Sequence, residues 1–433
     1  MISIIKLEEL KGSRREEILR RGEKDVEKAN ETAKTILDAV REKGDQAIIE
    51  FTKKFDGIDL TAETLKVSEK EIDEAVDNID YRLLEAIKRA YRNIRKFHER
   101  QRPKAWKIEI EKGIQAGRRV IPLDRAGLYV PGGKAVYPSV MLMLAIPARI
   151  AKVGEIIVCT PPQEEGKIDP ASLVAAKLCG VDAIYKVGGV QAIAAMAYGT
   201  ETIPKVDVIA GPGGPYVSAA QRLVRDELRL DFPPGPSEGM VIADKFANPR
   251  FVAADIMSEA EHGPDSAGIL VTNSLDLASS VRSEFEGLLE NLPDPRKGYV
   301  KENMKKYSCI VLTKTMDEAV DFVNEYAPEH LVIETMDPEK TMKKIKNAGT
   351  YCLGSYSPIT AGNFAVGPNA ILPTGGFGRF VSGVSVDTFV KKPTVERLSK
   401  EGLENLKEAI IPLSKFEGFP AHSNSVKVRF EDE

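Results

Sequence analysis

The sequence predicts an α/β fold of two doubly wound units, each a parallel sheet covered by helices, with small helical segments at both chain ends. Two series of alternating strand and helix patterns support this prediction, over residues 155–227 and 248–354. The strand segments are apolar almost throughout, as expected for strands buried on both faces of a parallel sheet. A length of 433 residues leaves room for several domains, since domains average roughly 150 residues.

The N-terminal region has a helical pattern. Apolar residues recur at intervals of three and four from Ser13 to about Pro103, with charged residues between them. Ser68 and Glu71 have the spacing of a capping box, which predicts a helix start. The most basic run, residues 88–104, is interpreted as the solvated face of a helix, and its histidine is given no function.

Short strands are predicted in residues 107–133, before the first alternation. That alternation has strands at EIIVCT, DAIYKV and DVIAG, and LDFPPGPSEG (residues 230–239) is interpreted as a crossing between domains. The second alternation opens with a helix that Asn248 caps and Pro249 starts. Its strands are AGILVTN, SCIVLTK, LVIET and TYCLG. A helix and a tail rich in turn residues follow from about residue 386.

Composition and charge argue against several classes of partner. Lys and Arg number 61 against 65 Asp and Glu, and this balance gives no reason to expect nucleic acid. The longest apolar run, residues 140–151, is too short to cross a bilayer, and the N-terminal apolar run is too short for a signal peptide. The cysteines lie in apolar stretches without a C-x-x-C pair, which predicts free thiols in a reducing compartment. We therefore expect a cytoplasmic protein with neither nucleic-acid nor membrane partners.

The stretch SEAEHGPD indicates a metal site. Glu259 and His262 are three residues apart, so on a helix they would share one face, about 5–6 Å apart. A carboxylate and an imidazole at that separation can hold a divalent cation, although a solvated pair at a helix end is the common alternative. Asn363, and Glu417 with His422 in the tail, are further candidate ligands in a chain with four histidines.

The predicted sheet restricts where these candidates can meet. Ligands of open parallel sheets lie beyond the carboxyl ends of the strands. Because Asn363 follows the strand TYCLG, loops at that edge are expected to form the site. Glu329 and His330 precede the strand LVIET, and their direction stays open.

Two glycine turns indicate a dinucleotide site. KVGGVQAIAA and AGPGGPYVSAA each place glycines between a predicted strand and a predicted helix. Such a turn exposes backbone N–H groups that suit a pyrophosphate. The chain has no G-x-G-x-x-G motif, and each turn alone is equally well explained as a connection. Two such turns in adjacent units favour a dinucleotide.

Together these stretches resemble the histidinol dehydrogenase family over nearly the whole chain. The matching runs occur in order: YVPGGKAVYPS, GGVQAIAAMAYGT, AGPG, DFPPGPSE, SEAEHGPDS, APEHL, AGNFAVGPNAILPTGG and EGFPAH. The resemblance implies Rossmann-like domains, NAD and one Zn²⁺ per subunit, and a homodimer with a swapped C-terminal tail. It also implies oxidation of L-histidinol to L-histidine in two hydride transfers through a bound aldehyde.

The alternations and the resemblance together suggest domain limits. We expect an N-terminal helical segment (1–25), an α/β domain carrying the metal and catalytic residues (26–128 and 237–385), a dinucleotide-binding α/β domain (129–236) and a C-terminal helical tail (386–433).

Site residues follow from the resemblance by matching position. The acid/base pair falls on Glu329 and His330. The metal ligands fall on Glu259, His262, Asn363 and His422. The dinucleotide contacts fall on Tyr129, Gln191 and Gly214. The substrate contacts fall on Ser237, His330 and Glu417 together with the metal-binding residues.

Four positions depart from the family's pattern. Glu259 stands where glutamine is usual and Asn363 where aspartate is usual, so one carboxylate and one amide remain. Gly214 replaces an asparagine and Ala370 a histidine. These departures leave open a related enzyme that oxidises another amino alcohol or a polyol and, with less support, a binding protein without catalysis.

Overall fold

The structure, a computed structural model, describes residues 1–21, 23–133, 135–230 and 235–431. The chain divides into two compact units. The first contains Met1–Gln101 and Leu123–Phe389, and the second contains Arg102–Pro122 and Val390–Glu433.

The strands are short and mostly apolar. They are β1 (Ile4–Lys6), β2 (Trp106–Glu111), β3 (Ile114–Arg118), β4 (Ile121–Pro122), β5 (Arg125–Tyr129), β6 (Glu155–Thr160), β7 (Ala183–Lys186), β8 (Val208–Ala210), β9 (Glu238–Ala243), β10 (Ala267–Thr272), β11 (Cys309–Leu312), β12 (His330–Glu334), β13 (Thr350–Leu353), β14 (Val390–Lys391) and β15 (Thr394–Leu398).

The helices separate most of these strands. They are α1 (Gly12–Arg20), α2 (Glu23–Lys43), α3 (Asp45–Asp56), α4 (Ala62–Leu65), α5 (Glu69–Asn78), α6 (Tyr81–Glu99), α7 (Pro138–Ala151), α8 (Pro170–Cys179), α9 (Gly189–Tyr198), α10 (Pro215–Leu223), α11 (Pro249–Ala260), α12 (Leu275–Asn291), α13 (Arg296–Asn303), α14 (Met316–Tyr326), α15 (Pro338–Met342), α16 (Ile359–Phe364), α17 (Lys400–Phe416) and α18 (Pro420–Lys427).

The larger sheet of the first unit is parallel, with strand order β1-β11-β10-β9-β12-β13. Alternate side chains of each strand enter two different cores, because successive residues point to opposite faces. Val241 and Val332 pack with α11 and α12, whereas Met240 and Leu331 pack with α14. Burial on both faces explains why the strands are apolar throughout.

The smaller sheet of the first unit is also parallel, with strand order β7-β6-β5-β8. Its core includes residues of α9 and α10. The N-terminal helix α2 packs against α9 and α10, so helical residues from the start of the chain cover this sheet.

The second unit contains antiparallel pairings. Strand β3 lies between β15 and β2, and β14 pairs with β4. Helix α18 packs against α17, and the hydroxyl groups of Ser414 and Ser423, 2.6 Å apart, join them.

The predicted fold class is confirmed, because both alternations form parallel sheets flanked by helices. Strands β1, β9, β14 and β15 were missed, the last two within the tail that was predicted to be helical. The predicted domain limits remain a proposal, and residues 231–234 of the interpreted crossing lie outside the described residues. All four cysteines are free. None of the helices in the described part of the chain combines the length and apolar character needed to cross a membrane.

Candidate active site

Several predicted site residues converge at the amino ends of β9, β10 and β12. His330 is the first residue of β12 and pairs with Gly239 of β9. The carbonyl of Ser237 accepts the N–H of Ala267, which opens β10, at 3.0 Å. The expectation of a site at the carboxyl ends was therefore wrong for this sheet. Helix α11 explains the difference: it runs back from the carboxyl ends of the strands, so Glu259 near its C-terminus lies at the amino ends.

Three of the predicted metal ligands are in contact. The amide Nδ2 of Asn363 donates to Oε1 of Glu259 at 2.9 Å, and Oε2 of Glu259 lies 3.6 Å from Nδ1 of His262. Glu259 is 1% exposed, so its carboxyl group lies in a site largely shielded from water. Helix α16 supplies Asn363, and the end of α11 supplies the other two.

The donor atoms of this group fit a divalent cation. Oδ1 of Asn363 is buried and has no hydrogen-bond partner, a costly arrangement unless something binds it. Nδ1 of His262 lies 3.0 Å from the carbonyl of Ser258. Since a carbonyl only accepts, Nδ1 carries the hydrogen, and Nε2 is left as the ring nitrogen that can bind a cation. Within the described residues no three His, Cys, Asp or Glu side chains cluster as metal ligands, so the site depends on the amide oxygen.

Gly239 allows Glu259 to approach the sheet. A Cβ atom at position 239 would lie 2.6 Å from Cγ of Glu259 and 3.2 Å from Cδ1 of Ile359, and the first distance is too short for a carbon contact. The missing side chain thus places the Glu259 carboxylate beside His330, the cross-strand neighbour of Gly239.

Glu329 and His330, the predicted acid/base pair, are both buried. Nε2 of His330 lies 3.7 Å from Oε1 of Glu329, and the N–H of Glu238 donates to Oε2 of Glu329 at 2.9 Å. Burial raises the pKa of Glu329 well above its usual value, and the nearby carboxylates of Glu259 and Glu238 raise it further. Burial lowers the pKa of His330; Glu259 opposes that shift, and His262 adds to it.

A buried ion pair behind this site was not predicted from the sequence. Nε of Arg21 lies 3.0 Å from Oε1 of Glu238. A charged residue opening the apolar strand EGMVIA could have indicated Glu238, whereas Arg21 ends a highly charged helix and had no distinguishing feature.

The predicted dinucleotide residues lie at the carboxyl ends of the smaller sheet. Tyr129 ends β5, and its hydroxyl oxygen accepts the N–H of Gly189 at 3.1 Å. Burial raises the pKa of Tyr129 to about 12, so its O–H is retained as a donor. Oε1 of Gln191 is buried without a hydrogen-bond partner. Gly214 is the N-cap of α10, after β8.

Glu417 and His422 lie in the second unit. Glu417 is the C-cap of α17, and His422 lies on α18 with its ring 5.2 Å from that of Phe419. Both are exposed. Their participation in the site stays a prediction.

A family profile described as histidinol dehydrogenase matches residues 19–430 of the chain. The chain belongs to the histidinol dehydrogenase family. Histidinol dehydrogenase of Methanothermobacter thermautotrophicus is 47% identical over 99% of this chain and 100% of its own length. That of Synechocystis sp. is 45% identical over 99% of each chain.

A solved structure agrees with this assignment to the histidinol dehydrogenase family. The crystal structure of histidinol dehydrogenase from Elizabethkingia anophelis is 41% identical and has a TM-score of 0.88, covering 93% of this chain and 92% of that one. The resemblance is thus confirmed, and the chain is an oxidoreductase of the histidinol dehydrogenase type.

Proposed function

We propose that this enzyme oxidises L-histidinol to L-histidine, the final product of a biosynthetic route, in two NAD-dependent steps through an aldehyde that stays bound. The observation that carries this proposal is the buried pair of Glu329 and His330 beside the group of Glu259, His262 and Asn363. One base for the alcohol and one for water are what two successive oxidations at one carbon require.

His330 acts first, as the base that removes the proton of the substrate's hydroxyl group. Its lowered pKa, caused mainly by burial, keeps the imidazole neutral near pH 7, so a ring nitrogen has a lone pair for the proton.

Glu329 acts second, as the base that deprotonates the water adding to the aldehyde. Its Oε2 is held by the N–H of Glu238, which leaves Oε1 for the proton. Because a general base is most effective when its pKa approaches the working pH, the raised pKa of Glu329 favours this role.

We further propose that Glu259, His262 and Asn363, with His422, hold one zinc ion. When bound, zinc would supply positive charge that fixes and polarises the donor atoms of the substrate. The buried amide oxygen of Asn363 without a partner supports this assignment. Ser237, His330 and Glu417 would contact the amino alcohol as well.

Tyr129, Gln191 and Gly214 are proposed to bind NAD, which would accept the hydride in each step. The support is the placement of all three around the carboxyl ends of one parallel sheet, where dinucleotides bind, with the glycine turn before α9 offering backbone N–H groups.

Replacing Gly214 by asparagine is expected to tighten NAD binding. A Cβ atom at this position meets nothing within 4 Å, and the backbone, with φ −68° and ψ 180°, suits an L-residue. One added hydrogen bond, worth about 0.5–1.5 kcal/mol, corresponds to a decrease of roughly 2- to 12-fold in the KM for NAD. Steady-state kinetics at saturating L-histidinol measures this. Gly214→Ala is the control, because it adds the Cβ without the amide and should leave the KM unchanged.

We propose a homodimer in which the tail that carries Glu417 and His422 serves the partner's site. The exposed apolar side chains of the second unit support an interface, since large exposed apolar surfaces usually mark contact sites. Phe416 is 92% exposed and Phe419 50%. The four free thiols, three of them buried, support a cytoplasmic location.

The two steps are expected to differ in pH dependence. A base works only when it is deprotonated, so the raised pKa of Glu329 moves the acid limb of aldehyde oxidation to higher pH. The lowered pKa of His330 moves the acid limb of alcohol oxidation to lower pH. The rates of the two half-reactions, measured from about pH 5 to about pH 9, test whether the acid limb of aldehyde oxidation lies at the higher pH. The reverse order, or coincident limbs, would contradict the assigned roles.

The experiment that tests the proposed function is a measurement of NADH formed per substrate consumed. The purified enzyme, with its metal content determined by elemental analysis, receives L-histidinol or one of a panel of amino alcohols and diols. Two NADH per L-histidinol, with L-histidine as the product, is the expected result. Turnover of a polyol or another amino alcohol in preference to L-histidinol would show that the enzyme acts on a different substrate.

A further inference from the structure

A buried arginine lies behind the proposed base Glu329. Arg21 is 5% exposed, and its Nε lies 3.0 Å from Oε1 of Glu238. Its Nη2 donates to the carbonyl of Tyr326 at 2.8 Å, and its guanidinium carbon lies 3.5 Å from the centre of the Tyr326 ring. One side chain from the N-terminal segment thus reaches both β9 and the end of α14.

Both residues that Arg21 contacts are close to Glu329, one along the chain and the other through a hydrogen bond. Tyr326, the last residue of α14, is three residues before Glu329. Glu238 donates its N–H to Oε2 of Glu329 at 2.9 Å, and its carboxylate accepts the N–H of Gly375 at 2.8 Å. The backbone before Glu329 and the hydrogen-bond donor to its carboxylate are therefore tied to the same guanidinium.

The backbone at both ends of this link adopts an unfavourable conformation. Arg21 has φ +49° and Ala327, the neighbour of Tyr326, has φ +51°, in a region that non-glycine residues seldom enter. Such conformations persist where surrounding contacts determine them, and they cluster at active sites. The hydrogen bond from Arg21 to Tyr326 is immediately next to Ala327.

We propose that Arg21 is a positioning residue for the second oxidation step: through Tyr326 and Glu238 it fixes the carboxylate of Glu329 where it meets water. This inference rests on the proposed role of Glu329 as that base. A buried ion pair usually stabilises a fold no better than apolar residues of the same volume, so a contribution to position accounts for the pair better than one to stability. The flat guanidinium, unlike an ammonium, can bind a carboxylate and a carbonyl while stacking on an aromatic ring.

The test compares four variants in two half-reactions. Arg21→Met removes the charge and the donors, Arg21→Lys keeps the charge, and Arg21→Met with Glu238→Gln removes both charges. Arg20→Met is the matched control, since Arg20 lies one residue earlier in an exposed pair with Glu16. Oxidation of L-histidinol and oxidation of the added amino aldehyde are each followed by NADH, with kcat and KM determined separately, and Tm is measured for every variant.

The expected result for Arg21→Met is a selective loss of aldehyde oxidation. Arg21→Met should lower kcat for aldehyde oxidation by about 100- to 1000-fold, within the range that a general base contributes, with KM and the rate of alcohol oxidation within about threefold of the unchanged enzyme. Arg21→Lys should recover part of the loss, because it retains the charge, and Arg20→Met should match the unchanged enzyme.

Several outcomes overturn the inference. If both half-reactions lose rate equally, in proportion to the fall in Tm, Arg21 contributes to stability alone. If Arg21→Met oxidises the aldehyde at the full rate, Arg21 has no positioning role. If Arg21→Met fails to fold because Glu238 is left charged and buried, the double variant decides: it lacks that charge and should still be selectively impaired. Failure of the unchanged enzyme to oxidise L-histidinol, in contrast, would refute the proposed function itself.

Discussion

Glu329→Gln is expected to convert the enzyme into one that oxidises the alcohol but not the aldehyde. Glutamine keeps the shape and can still accept the N–H of Glu238, but it cannot take a proton from water. We expect aldehyde oxidation to fall by about 10²- to 10⁴-fold, the usual contribution of a general base, while the first NADH is released at nearly the normal rate. Single-turnover measurement of NADH from L-histidinol, with detection of the accumulated aldehyde, checks this.

Two controls accompany this variant. Glu325→Gln makes the same change at a half-exposed residue of α14 that pairs with Arg15, and it should leave both steps unchanged. His330→Asn should slow the alcohol step, because it removes the base proposed for that step. A Glu329→Gln variant that loses both steps equally would refute the division of labour between the two residues.

Exchanging the carboxylate and the amide of the proposed metal site in two steps is expected first to lower the affinity for zinc and then to restore it. Glu259→Gln removes the only carboxylate among the three ligands in contact, so zinc affinity should fall at least about 10- to 100-fold, the loss typical for outer-shell partners. The double variant Glu259→Gln with Asn363→Asp again has one carboxylate in this contact, now on α16, and should recover most of the zinc affinity. Competition with a chromophoric chelator measures affinity, and kcat should follow zinc occupancy.

The single variant Asn363→Asp completes the cycle. It places two carboxylates where the Asn363 amide now donates to Glu259 at 2.9 Å, so without metal it should lower Tm, and zinc should raise Tm more than in the unchanged enzyme. The interaction energy from the four proteins isolates the coupling between the two positions. Additive effects would show that the two residues do not share a cation.

Much of the fold was predictable because the strands and helices differ in composition and period. Buried strands such as β10 and β12 are short apolar runs, and the helices between them begin with caps such as Asn248. Strand β9 was missed because it begins with Glu238 and Gly239, which resemble a continued turn. Strand β1 was missed because its three residues stand outside both strand–helix series, whereas β8, equally short, lies within one.

The sequence identified which residues form the candidate site, but not at which edge of the sheet they lie. The family runs identified Glu259, His262 and Asn363, and the structure brings these three together. Their placement at the amino edge was not foreseen, although a helix that ends just before a strand must deliver its last residues there. The role proposed for Arg21 could not be predicted from the neighbouring sequence, since Glu238 and Tyr326 are more than two hundred residues away in sequence.

The most direct test of this account is the position of zinc in crystals of the zinc-loaded enzyme, measured by anomalous scattering at the zinc absorption edge. We expect one peak per chain, bounded by the side chains of Glu259, His262 and Asn363, with a histidine of the tail completing the ligands. Zinc bound elsewhere, or the three side chains retaining their mutual contacts with no cation in the presence of excess zinc, would contradict the account.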